Sequence, residues 1–95
     1  MTLMVDLMKQ SKQYNFKILQ MTTKVKFLYH EGNQDLMAYF PEEVWCDNTK
    51  TCYSHIGQHS ACHPNYAKEC REATMLEYLD LFNELQSIGY RLELV

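Results

Sequence analysis

Apolar and polar positions alternate from Lys24 onward. Val25, Phe27 and Tyr29 share one face, and Lys24, Lys26 and His30 share the other. A period of two marks a half-buried strand. Glu31-Gly32-Asn33-Gln34 follows as a turn signal, with Gly and Asn both tolerant of positive φ. Asp35 to Phe40 then reads as the second strand of a hairpin, ended by Pro41. Residues 41–49 read as a polar loop around Val44 and Trp45, and Lys50 to Ile56 as a third strand broken by Gly57. His59 to Cys70 reads as a compact connection, with a short helical turn over about 64–70 opened by Pro64.

The period changes to 3.6 over Thr74 to Ile88. Thr74-Met75-Leu76-Glu77 is a capping box, and Tyr78, Leu81, Phe82, Leu85 and Ile88 form one apolar stripe. Gly89 is placed to end this helix in a left-handed conformation. Tyr90, Leu92 and Leu94 alternate with Arg91 and Glu93 as a final strand. The predicted order is β-β-β-α-β. It makes an α+β fold, a small and mostly antiparallel sheet with one main helix packed on one face.

The first twenty residues follow a different pattern. Leu3, Met4, Leu7 and Met8 have helical spacing, but the set is short and lacks caps, so a helix over about 2–13 is marginal at best. Met21-Thr22-Thr23-Lys24 looks like a second start. The expectation is an extension over residues 1–20, flexible or marginally helical and dispensable for folding, ahead of a single domain over 21–95.

Length and charge narrow the classes. The 95 residues can form one modest core without obligatory staples. Residues 1–30 carry five lysines against Asp6, a net +4, and residues 31–95 carry four basic against eleven acidic residues, a net −7. An acidic body lacks the phosphate-neutralising surface that nucleic-acid binding requires. The basic start reads as a solvated tail. Trp45 and the many tyrosines could stack bases, but most of the tyrosines lie on predicted strands or on the helix stripe, where core packing explains them. Asp6 and Lys9 interrupt the apolar start before a signal sequence can form, and no run is long enough to span a bilayer. A cytoplasmic protein with reduced thiols is therefore expected.

One region carries candidate chemistry. All four cysteines (Cys46, Cys52, Cys62, Cys70) and His55, His59 and His63 fall between residues 46 and 70. Cys52-x2-His55 and His59-x2-Cys62 are short-spaced pairs of the ligands zinc prefers, so zinc is the one cofactor this pattern could recruit. Against it, Cys52 and His55 are three apart on a strand and point to opposite faces, and only three residues separate the pairs. Buried cysteines also serve as small hydrophobes. A thiol enzyme would use Cys62 as nucleophile with His59 or His63 as base, but no orienting third group or phosphate loop accompanies them, so no catalytic residue is assigned. Gln58, His59 and Ser60 form a polar run at a strand end, where loops often carry binding residues. The competing reading is that they satisfy the backbone of a turn.

The stretch Cys52-Tyr53-Ser54-His55-Ile56-Gly57-Gln58-His59-Ser60-Ala61-Cys62 is joined by Ala73-Thr74, Glu77-Tyr78, Leu81, Glu84-Leu85 and Gly89-Tyr90. Together these residues resemble a group of short uncharacterised proteins of bacteria, phages and mobile elements, over roughly Lys24 to Val95. No function travels with that resemblance. It implies a small accessory protein that binds host or phage components.

The expected function is a non-enzymatic interaction protein, its partner an unidentified protein meeting the exposed sheet face or the 57–63 loop. A zinc-stabilised binding domain using Cys52, His55, His59 and Cys62 is the alternative, and a thiol-dependent enzyme the third reading. An exposed edge strand would also permit a homodimer through sheet extension.

Overall fold

The computed structural model describes residues 22–55 and 58–95. The extension expected over residues 1–20 and the break expected at Gly57 lie outside them. Six strands and two helices run in the order β1 (Thr23–His30), β2 (Asp35–Val44), β3 (Lys50–Ser54), β4 (Gln58–Cys62), α1 (Pro64–Lys68), β5 (Arg71–Glu72), α2 (Met75–Ser87) and β6 (Leu92–Leu94). The α+β class holds. The strand order expands from the expected β-β-β-α-β to β-β-β-β-α-β-α-β.

Strands β4, β3, β2 and β1 pair antiparallel in that spatial order. On the far flank of β1, β5 pairs antiparallel at Leu28 and Tyr29, and β6 pairs parallel from Thr23 to Val25. Helix α2 joins β5 to β6 across one face of the sheet. Among the described residues no helix is long and apolar enough to cross a membrane.

Strand β2 outruns its expected end. It passes through Pro41 to Val44, and the β2–β3 ladder is irregular between Phe40 and Val44. Proline cannot donate to a ladder, so the strand survives by leaving Pro41 out of the pairing. In the β1–β2 turn the positive φ falls on Gln34 (50°), and the Gln34 amide donates to the Glu31 carbonyl at 3.3 Å. Strand β4, expected as connection, pairs with β3 from Lys50↔Cys62 to Ser54↔Gln58.

Helix α2 begins where the capping box predicts. The Glu77 amide donates to Thr74 Oγ1 at 3.3 Å, and the Thr74 amide donates to Glu77 Oε1 at 2.8 Å. Two otherwise unpaired amides are satisfied. Gly89 follows the helix with φ at 113°, which side chains resist.

Strand alternation divides the buried residues between two faces. Val25, Phe27, Ala38, Phe40 and Tyr53 face α2 and pack on Leu81 and Leu85. Phe27 stacks on Tyr78 with ring centroids 4.4 Å apart, and Phe40 stacks on Tyr90 at 5.2 Å. Burying each leucine contributes roughly 1.5–3 kcal/mol. Ile88, expected on this stripe, is exposed. Leu28, Met37, Tyr39, Cys52 and Cys62 face the other way and pack on Tyr66, Ala67 and Cys70 of α1 and its C-terminal flank. A second helix therefore covers part of the second face.

Candidate functional site

The Cys/His region folds into the β3–β4 hairpin and α1. Hairpin alternation decides where each side chain goes. Cys52 opposes Ser60, and Tyr53 opposes His59, so the two pairs lie on opposite faces of the sheet.

On the α1 face, the Cys52 thiol lies 3.2 Å from the Ser60 hydroxyl. Cys62, two residues beyond Ser60, joins the same apolar cluster as Cys52. Burial pushes the Cys62 thiol up to about 11, and Cys52, Cys70 and Asp35 add to the rise by repelling a thiolate. Burial also raises the Cys70 thiol, and Asp35 and Glu69 add to that rise. Beside the thiols is a cavity of about 280 Å³, lined in part by Asp35, Met37, Cys52, Ser60, Cys62 and Tyr66. Tyr66 closes one side, its hydroxyl donating to Asp35 Oδ2 at 3.0 Å.

On the α2 face, His59 Nε2 meets the Tyr90 hydroxyl at 2.8 Å, and its ring stands edge-on to Tyr53 with centroids 4.7 Å apart. His55, in the turn after β3, meets Glu84 Oε1 of α2 through Nδ1 at 3.1 Å.

The four residues proposed as zinc ligands therefore fall into two separate pairs. Cys52 and Cys62 lie under α1, while His55 and His59 lie on the side of α2. Among the described residues, no group of three or more His, Cys, Asp or Glu side chains is placed to hold a metal ion. The strand argument against joining Cys52 with His55 anticipates this split.

The nucleophile reading fares similarly. His59 is across the sheet from Cys62. His63 caps α1, its Nδ1 accepting from the Asn65 amide at 3.1 Å. The Cys62 thiol points to the His63 carbonyl at 3.6 Å rather than to an imidazole. A thiol raised to about 11 is also the reverse of what thiolate chemistry needs.

Of the polar run, Gln58, His59 and Ser60 all belong to β4, and all three are exposed. They lie along the sheet's outer strand rather than on a loop, with His59 and Ser60 turned to opposite faces. Sequence reading overlooked Asp35, Met37 and Tyr66 as lining for the thiol cavity. The alternation of β2 places Asp35, Met37 and Tyr39 together, but nothing in the spacing announces that α1 returns over them.

The two flanks of the sheet differ. The flank beyond β1 is made of two short pieces, β5 and β6, which carry Arg71, Glu72 and Glu93. The opposite flank is β4, five residues with neither proline nor a formally charged side chain, four of them exposed. Among the described residues, β4 has β3 on one side and no strand on the other.

Comparison with family models, curated proteins and solved structures finds no match to this chain.

Proposed function

We propose that this chain is a small non-enzymatic interaction protein that receives an extended segment of a protein partner along β4. The observation that carries the reading is the contrast between the two flanks. Folded proteins blunt their sheet edges with charge, proline or brevity, because an open row of amides and carbonyls recruits another strand. The β5/β6 flank is blunted in this way, and β4 is not. An added strand would gain main-chain hydrogen bonds, with His59 and Ser60 offering side-chain contacts on alternate faces. The resemblance to short phage and mobile-element proteins supports an accessory, partner-binding role.

A pull-down with quantified recovery tests this. Ala61 is exposed on β4, so Ala61→Lys adds an edge charge without entering the core. The expected result is a partner retained by wild type, weakened by His59→Ala/Ser60→Ala and lost with Ala61→Lys. Equal recovery with all three would refute the use of β4.

A further inference from the structure

We propose that the part of the sheet face left open beside α1 binds a carboxylate carried on an apolar body, of the medium-chain fatty-acid class. This goes beyond the partner reading and does not depend on it, because the site lies on β1 and β2, away from β4.

The apolar floor comes first. Helix α1 covers only part of the second sheet face, and beside it lies a cavity of about 430 Å³. Leu28 of β1 and Tyr39 of β2, both buried, line its sheet side, and Pro64 and Ala67 of α1 line its helix side. Lys26 opposes Tyr39, and Leu28 opposes Met37 in the next pair on that face. Lys26, Leu28 and Tyr39 are therefore immediate neighbours on one continuous surface. The volume falls in the roughly 300–1,000 Å³ range of small-molecule sites, which are mostly apolar with a few placed polar groups.

Those polar groups select the ligand. Lys26 lines the cavity from the sheet and Lys68 lines it from α1. Among the described residues neither ammonium is held by a carboxylate, whereas Lys24, two residues from Lys26, pairs with Glu42 at 3.2 Å. The Tyr39 hydroxyl likewise has no hydrogen-bond partner among the described residues. Burial raises the Tyr39 phenol, and Cys62 adds to the rise, so it stays protonated and able to donate. Three donors thus border one apolar cavity. The opposing charge is Glu72, which lies across from Leu28 on β5. Two lysines less one glutamate leave the lining at +1, within a body that is otherwise acidic. One positive charge over an apolar floor matches a single carboxylate on an apolar tail better than it matches a phosphate dianion. The lysine stems can lie along that tail while their ammonium groups reach the carboxylate.

The test titrates the full chain with decanoate, below its micellar concentration, by isothermal calorimetry. Wild type is expected to bind one equivalent, to bind octanoate roughly 10-fold more weakly because two methylenes fewer are buried, and to prefer decanoate to decanol. Lys26→Met and Lys68→Met should each weaken decanoate by roughly 10-fold. The double variant should bind decanoate and decanol alike. Ala67→Trp should fill the groove and abolish binding, and Lys24→Met should bind as wild type does. Circular dichroism confirms that each variant folds; if Ala67→Trp does not, the lysine variants carry the test. Absence of decanoate binding to wild type would overturn the proposal. So would equal affinity of wild type for decanoate and decanol, or a loss in Lys24→Met as large as in Lys26→Met and Lys68→Met. Sedimentation with phosphatidylglycerol vesicles separates a free ligand from a lipid surface. No sedimentation is expected, and binding to vesicles without binding to decanoate would overturn the proposal.

Discussion

Arg71 grips Glu77 in a two-pronged pair, with Nη1 to Oε1 and Nη2 to Oε2 both at 2.8 Å. Arg71 also donates through Nε to Glu31 Oε1 at 2.7 Å, and its guanidinium lies 4.7 Å from the centre of the Tyr29 ring. One residue thus ties the β1–β2 turn, the two-residue strand β5 and the first turn of α2 together. Glu77 serves twice, because it is also the acidic member of the capping box. A planar guanidinium matches a carboxylate in a way an ammonium cannot.

Acid should loosen this junction. The Arg71 hydrogen bonds, helped by the Thr74 amide, lower Glu77 from 4.5 to about 2. A carboxylate lowered on folding stabilises the fold fully above its unfolded value. That contribution is lost as pH falls from 4.5 through about 2. Melting temperature followed across this window should fall for wild type and fall less for Glu77→Gln, which no longer titrates there. Parallel curves would contradict the assignment.

Removing the cap hydroxyl isolates the other half of the motif. Thr74→Ala should cost about 1 kcal/mol in urea unfolding, since the Glu77 amide loses its acceptor. A neutral effect would mean that Arg71 alone holds the helix start.

The two faces of α2 give a sharper contrast. Leu85 is fully buried against the sheet, while Leu76 is 92% exposed. Leu85→Ala should cost about 2–5 kcal/mol by leaving a cavity. Leu76→Ala should change stability by less than about 0.5 kcal/mol. Similar losses at both would mean that α2 is rotated from the orientation described.

Thiol reactivity should separate the cysteines in the folded protein. Cys46 is exposed, whereas Cys52 and Cys62 are buried. Alkylation at neutral pH, read by peptide mass mapping, should label Cys46 first and Cys62 among the last, because the Cys62 thiol is raised to about 11. Early labelling of Cys62 would revive the nucleophile reading.

How far the sequence reveals this arrangement varies with the kind of signal. Helix α2 was legible almost to the residue, because the Thr74 cap, the 3.6 period and Gly89 agree. Strands β1 and β3 were legible from alternation alone. Strand β4 was not, since Gln58-His59-Ser60-Ala61 offers no apolar alternation. Its strand character comes from pairing with β3, a tertiary effect that local pattern cannot carry. Pro41 misled for a physical reason: it forbids one ladder bond, not a strand. At the thiol site, the sequence showed that Cys52 and His55 diverge. It did not show that Met37 and Tyr66 meet the cysteines, because those contacts join distant segments through the return of α1.

The use of β4 as the partner-binding edge is tested most directly by a photoreactive benzoylphenylalanine placed at position 61, and separately at position 93, in the expressing host. Ala61 and Glu93 are both exposed, on opposite flanks of the sheet. The account predicts a discrete cross-linked adduct from position 61 and none from position 93, with the cross-linked peptide drawn from one short segment of another protein or of a second copy. No adduct at position 61, or the same adducts from both positions, would contradict it.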